Sequence, residues 1–444
     1  MLARDRQIVT RFHLRAVLAA LAFLIVLGSV VAWGGDAATA SSRGSSLPAA
    51  RAAARSSRSV SLPPAPVGGG ILYRWGRGSP PVRGPWSAPS RVSGARGGLT
   101  GRGVPTVIPG VVGRIVQITT SNTDGYALTA DGAVWAWGEG LAGELGDGSR
   151  SPFTARAVRV RFPSGVRIAA LPDPVPYEGG MAIDTAGHVW AWGNNTAGQF
   201  CQPRPRYSAL PFEVPLAQVT LAAGALFHTI YDAGGEVYSC GLGNLGQLGD
   251  GTRDLRGTPT AVLGLPAGQV VALTSSWGDA GAVTADGAYY DWGYNAAGQV
   301  GDGTTNLADV AVRVLLPDPV VAVSQGGSLP DNGQTMALLA DGSLWEWGNN
   351  SSGQLGDGST RNALTPFRLT EPPGVRFVEV NSGGATNYAI DSTGDLWSWG
   401  LDNLGQLGDG RRGPAQLTPI DDGLTLTQVS STASDVAGFY APQR

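Results

Sequence analysis

Lysine is absent from all 444 residues, so the 31 basic side chains other than histidine are all arginine. That absence excludes Schiff-base chemistry and a lysine-bearing phosphate loop. Histidine is nearly as scarce: only His13, His188 and His228 occur, and none sits in an HExxH pair or a Cys-His metal spacing. No GxSxG nucleophile elbow is present. The GDGS and GDGT loops lack the alternating carboxylates of a calcium loop. The sequence therefore reads as a non-enzyme with no catalytic set, no metal site and no cofactor. Cysteine is limited to Cys201 and Cys240, and the only long apolar run covers residues 16–33.

Glycine, by contrast, is plentiful at 67 residues, and much of it belongs to one recurring phrase. The phrase reads WAWGEGLAGELGDG from Trp135, WAWGNNTAGQF from Trp190 and YSCGLGNLGQLGDG from Tyr238. It returns as YDWGYNAAGQVGDG from Tyr290, WEWGNNSSGQLGDG from Trp345 and WSWGLDNLGQLGDG from Trp397, with a short copy, YRWGRG, from Tyr73. A period of about fifty residues marks a repeat architecture. Before each full phrase lies an apolar run and a turn, as in YALTADGAVWAWG from Tyr126. The Asp-Gly pairs at Asp131, Asp286 and Asp341 suit two-residue hairpin turns with positive φ. Apolar residues fill both faces of the AVWAWG strand, as in a strand packed on two sides. The repeat tryptophans are expected to pack between the units.

The chain ends each carry half a unit. Residues 71–76 have the WG strand without the preceding run, and residues 429–440 have a run without a WG phrase. Pairing them would complete one blade and hide the sheet edges. The expected fold is all-β: a seven-bladed β-propeller over residues 71–444, irregular at 77–104, closed by its two terminal half-units. The phrase DGxVWxWGxNxxGQLGDG resembles the repeat of the regulator-of-chromosome-condensation family over about Ile71 to Tyr440. The resemblance implies the same seven-bladed propeller. His228-Thr229 matches the His-Thr that family members often carry before the apolar run. Members of that family include a guanine-nucleotide exchange factor on chromatin, secreted bacterial β-lactamase inhibitors and a plant ultraviolet sensor.

Arg4, Arg6, Arg11 and Arg15 precede the apolar run, which is the pattern of a signal peptide or signal anchor over residues 1–33. An N-terminal apolar helix and a disordered Ala/Ser/Gly/Pro/Arg-rich linker at 34–70 are expected ahead of the propeller. The location that follows is extracytoplasmic, either secreted or membrane-anchored. Residues 1–104 hold fourteen arginines against two acids, and the remainder holds seventeen against thirty-two. An acidic propeller argues against nucleic acid as a partner. Export would permit a disulfide, but Cys201 and Cys240 occupy non-equivalent repeat positions, which favours two separate buried thiols.

Candidate binding residues lie where the phrase is broken. Asp124 and Asp279 stand seven positions before their hairpin turns, with Glu178, Asp331 and Asp435 near the same level. Such acids could ring one mouth of the central channel and attract a cationic group. Tyr177 and Trp277, in irregular insertions beside them, are the aromatic anchor candidates. One tryptophan at that level does not make an excitonic cluster for light sensing. The leading expectation is a monomeric, exported or membrane-anchored propeller that binds a protein partner through loops at one face. The alternatives are a guanine-nucleotide-exchange-type regulator, implied by the family resemblance, and an exported lyase or hydrolase using channel-mouth carboxylates.

Overall fold

The computed structural model describes residues 71–76, 105–121, 124–327, 333–432 and 435–440. The chain divides into the units Met1–Ser56 and Ser57–Arg444, and every described residue belongs to the second. The expected signal segment at 1–33, the linker at 34–70 and the irregular stretch at 77–104 lie outside the described residues.

Strands β1 (Ile71–Gly76) and β2 (Thr106–Val107) come first. Blade 1 follows as β3 (Ile115–Thr120), β4 (Asp124–Thr129), β5 (Val134–Glu139) and β6 (Phe153–Arg159). Blade 2 is β7 (Ile168–Ala170), β8 (Gly179–Asp184), β9 (Val189–Asn194) and β10 (Tyr207–Glu213). Blade 3 is β11 (Val219–Ala225), β12 (His228–Ala233), β13 (Glu236–Gly241) and β14 (Arg256–Ala261). Blade 4 is β15 (Val270–Ser275), β16 (Asp279–Thr284), β17 (Tyr289–Gly293) and β18 (Ala308–Val314). Blade 5 is β19 (Val320–Gly326), β20 (Gln334–Leu339), β21 (Leu344–Gly348) and β22 (Ala363–Arg368). Blade 6 is β23 (Phe377–Ser382), β24 (Thr386–Asp391), β25 (Asp395–Gly400) and β26 (Gln416–Thr425), and the chain ends with β27 (Gln428–Ser431) and β28 (Asp435–Tyr440).

These strands form seven four-stranded antiparallel sheets. Six are simple meanders, and the seventh has the order β2-β1-β28-β27, so the two chain ends share one blade. Its register runs from Ile71 opposite Tyr440 to Gly76 opposite Asp435. The protein is thus a seven-bladed propeller closed by its terminal half-units. First strands of successive blades pack against one another around the axis, as β11 does on β15, β15 on β19, and β27 on β3.

Apolar packing lies between blades. Tyr289 and Val283 of blade 4 cluster with Leu339 and Trp347 of blade 5, and Leu338 and Leu344 of blade 5 cluster with Phe377 and Trp399 of blade 6. The second tryptophan of each WxWG phrase is buried, as are its counterparts Trp75 and Trp292, and Trp75, Trp192, Trp292, Trp347 and Trp399 reach the tail of the preceding blade. The indole N–H of Trp192, Trp292, Trp347 and Trp75 donates to the carbonyl of Glu144, Gln247, Gln299 and Gln406, at 2.7–3.0 Å. Beside each indole lies a glycine of the GDG tail, with φ between 61° and 79° (Gly146, Gly249, Gly301, Gly356, Gly408). A Cβ there would stand 2.7–3.1 Å from the next blade's indole, so both conformation and space require glycine.

One junction departs from this rule and corrects the expectation of separate thiols. Cys201 holds the tail-glycine position of blade 2, with φ 57°, and Cys240 holds the tryptophan position of blade 3. The two are joined in a disulfide across 39 residues of sequence. Non-equivalent repeat positions are those that meet across a blade junction, so the disulfide replaces a glycine–tryptophan contact. The Gln199 carbonyl that an indole would have used accepts from the Thr229 hydroxyl instead.

The hairpins also differ from expectation. Thr129 N–H donates to Ala133 O and Gly132 N–H to Thr129 O, enclosing a three-residue loop in which only Gly132 has positive φ, at 83°. Asp131 accepts from the Thr129 hydroxyl and the Ala133 N–H. That is a turn ending in a left-handed glycine, and Asp131 serves it as a cap.

Candidate functional site at the channel mouth

Where the first strands end, an open cavity of about 90 Å³ occupies the channel mouth. Six blades contribute to it. The polar part comes from a recurring triplet at the strand ends: Ser275-Ser276, Gln325, Ser382 and Ser431-Thr432 line the cavity. Blade 2 lacks such a triplet. Its first strand stops after Ala170, and the irregular segment that follows leans on blade 3, with Gly224 N–H donating to Pro174 O and Tyr177 N–H to Leu226 O. This brings the half-buried Tyr177 to the rim, edge-on to Phe227 at 5.9 Å. Trp277, also half-buried, lines the same cavity from blade 4. Two aromatic residues a hundred positions apart in sequence therefore converge.

The acids are placed differently. Asp124 and Asp279 do begin second strands near this mouth, but they are only 4% and 2% exposed. Each closes the preceding turn: Ser121 donates to Asp124 Oδ2 at 3.1 Å, and Ser276 donates to Asp279 Oδ1. Glu178 accepts from Asn194 Nδ2 at 3.0 Å with its own φ at 53°, and burial raises its pKa. Asp331 lies outside the described residues, and of Asp435 only the backbone pairing with Gly76 is described.

Beneath Ser275, Ser276 and Gln325 sits a buried cluster that sequence reasoning missed. Gln325 Nε2 donates to Asp279 Oδ2 at 3.3 Å and to Asp291 Oδ2 at 2.9 Å, and Tyr289 donates to Asp291 Oδ2 at 2.8 Å. Gly281 is needed here, because a Cβ would stand 2.3 Å from the Tyr289 hydroxyl. Burial pushes both carboxyls far above the usual range, and the charge of Asp279 raises Asp291 further. Such a pair keeps a proton at neutral pH. His228, whose Nε2 is 2.8 Å from Ser275 Oγ, is driven down to about 4 by burial and stays neutral. The available signal for Asp291 is an acid at the x position of the WxWG strand, where blades 1 and 2 have alanine. Two further channel acids lie on the opposite side of the axis: burial raises Asp173 to about 6 and Glu379 to about 7. Among the described residues no group of three or more His, Cys, Asp or Glu is arranged to hold a metal ion.

The Regulator of chromosome condensation (RCC1) repeat model matches residues 234–278 and 341–390. Over those two stretches the chain is similar to the RCC1 repeat. It is 28% identical over 387 residues to the ultraviolet-B receptor UVR8 of Arabidopsis thaliana, covering 85% of this chain and 82% of that one. Among solved structures, human WBSCR16 superposes with a TM-score of 0.70 at 21% identity, over 83% of this chain and 98% of that one. Prp20p of Saccharomyces cerevisiae, described by its binding to Gsp1p and histones, gives 0.70 at 20% identity, over 83% and 91%. At these identities the likeness shows that this chain and those structures share the propeller fold. The mouth of this chain's propeller offers hydroxyls, an amide and two aromatic rings on a rigid frame, whereas its paired acids are sealed beneath. That is equipment for recognition rather than for proton transfer to a substrate.

Proposed function

We propose that this RCC1-like propeller is an exported or membrane-anchored binding protein that holds a protein partner at its channel mouth. The observation that carries the reading is the convergence of Tyr177 and Trp277 on one cavity, from segments that break the repeat. Aromatic anchors at the edge of a preformed concavity supply contact area at low entropic cost. The Cys201–Cys240 disulfide supports an oxidising compartment, and the arginine-flanked apolar run supports the same route. A structural relative, Prp20p, is described as binding proteins. The test is crosslinked capture from cell-envelope extracts with the full chain. A Tyr177→Ala/Trp277→Ala variant should stay folded and lose the partner. Undiminished recovery would refute the site.

A further inference from the structure

We propose that the channel mouth is a socket for one basic side chain, an arginine or lysine presented by the protein partner. The inference rests on the proposed function and specifies the chemistry of its site. Two donors at the mouth are committed: the Ser276 hydroxyl serves Asp279, and Gln325 Nε2 serves Asp279 and Asp291. Gln325 Oε1 is left as a pure acceptor, and the Ser382 hydroxyl can accept or donate. Gln325 Oε1 and Ser382 Oγ have no hydrogen-bond partner, and their residues are only 4% and 6% exposed. Buried polar groups left this way call for a donor from outside. Among the described residues neither arginine nor histidine lines the cavity, and the chain has no lysine.

Asp279 and Asp291, which keep a proton at neutral pH, lie behind Gln325, and Asp173 adjoins Pro174 in the wall. The groups facing this floor from packed elements are His228, Tyr289 and these carboxyls, with no cation among them. Trp277 and Tyr177 offer ring faces or edges at the rim, and an aromatic face attracts a cation. A guanidinium carries five N–H donors and no acceptor, and an ammonium carries three, so either complements an acceptor-lined, acid-backed pocket. An acceptor-only or anionic ligand would oppose like with like.

The experiment is calorimetric titration of the full chain with butylguanidinium and with its neutral isostere butylurea. A second pair, Gly-Gly-Arg-Gly-Gly and its citrulline counterpart, tests whether the cation can be peptide-borne. Butylguanidinium should bind saturably, at least roughly tenfold tighter than butylurea, and the arginine peptide should compete with it. Trp277→Ala and Ser382→Val should each weaken butylguanidinium several-fold with unchanged melting; if Ser382→Val fails to fold, Trp277→Ala carries the test. Equal affinity for urea and guanidinium, no saturable binding, or indifference to Trp277→Ala would overturn the socket. Binding of butylguanidinium without the arginine peptide would overturn its assignment to a protein side chain. If Tyr177 and Trp277 prove necessary for partner capture while butylguanidinium does not bind, the interaction face stands and the socket falls.

Discussion

The blade junctions around the closure and those of the continuous chain are held by different chemistry. At the closure, Glu379, Gln428 and Gln117, at equivalent positions of three first strands, are polar and grip the neighbouring strand's backbone. Val429 N–H donates to Glu379 Oε1 at 2.8 Å, Ile118 N–H to Gln428 Oε1 at 2.9 Å, and Leu171 N–H to Gln117 Oε1 at 2.8 Å. These bonds join blade 6 to the closing blade, that blade to blade 1, and blade 1 to blade 2. In blades 2 to 5 the same position is Ala170, Leu221, Ala272 and Ala322. Apolar contact is non-directional, whereas a hydrogen bond fixes register. Of these three bonds only Ile118 to Gln428 joins opposite ends of the sequence, and the continuous junctions use directional bonds of other kinds, such as the indole donors and Ser382 N–H to Ser324 Oγ.

The comparison can be broken at several places. Deleting residues 428–444 removes β27 and β28, leaving β1 without its partner strand. Loss of the cooperative melting transition, with aggregation, is expected; an unchanged transition would sink the closure argument. On the continuous side, Cys201→Ser/Cys240→Ser should lower stability by about 3–4 kcal/mol, given the length of the loop it closes. A Cys201→Gly/Cys240→Trp variant, which restores the contact used elsewhere, should recover most of that loss by denaturant titration. Thr335 opposite Trp347 in blade 5 matches Thr229 opposite Cys240, so the strand already suits an indole. If the double variant is no better than the serine pair, the junctions are not interchangeable.

Smaller effects separate the latches from ordinary packing. Gln428→Leu leaves the Ile118 N–H without its acceptor and should cost about 1–3 kcal/mol. Ala322→Ser, at the equivalent position in blade 5, should cost less. The smallest effect is a pH slope. Asp173 and Glu379 have folded pKa values raised to about 6 and about 7. Carboxyls raised in the folded state bind protons there more readily than in the unfolded chain, so their contribution is fully present below the unfolded pKa and lost as pH rises through the folded value. Melting temperature should therefore fall between about pH 4.5 and 7. Glu379→Gln keeps an acceptor for Val429 and should flatten that slope.

Much of the fold was legible because the WG phrase marks each third strand and its halves mark the two ends. Sequence equivalence, however, is the wrong guide to contact between repeats. Cys201 and Cys240 looked unrelated because one sits at a tail glycine and the other at a strand tryptophan, yet those two sites touch at every such junction. The site was half legible. Tyr177 and Trp277 stood out because they interrupt the pattern. Asp124 and Asp279 were read as a charged ring, but their serine neighbours fold them into turns and bury them. Gln325 and Ser382 gave a weaker signal, the polar triplet that ends most first strands but not those of blades 2 and 3, which resembles turn chemistry until the strands are arranged about one axis.

The most direct test of function compares the two ends of the channel. The second residue of each first strand is bulged out of the ladder, which leaves Val271 and Val321 exposed at the start of the strands. Crosslinked capture should be measured for the full chain, for Tyr177→Ala/Trp277→Ala at the mouth, and for Val271→Ser/Val321→Ser at the far end. The mouth variant should lose the partner while the far-end variant keeps it. Retention by the mouth variant, or loss only in the far-end variant, would contradict the assignment of function to the mouth.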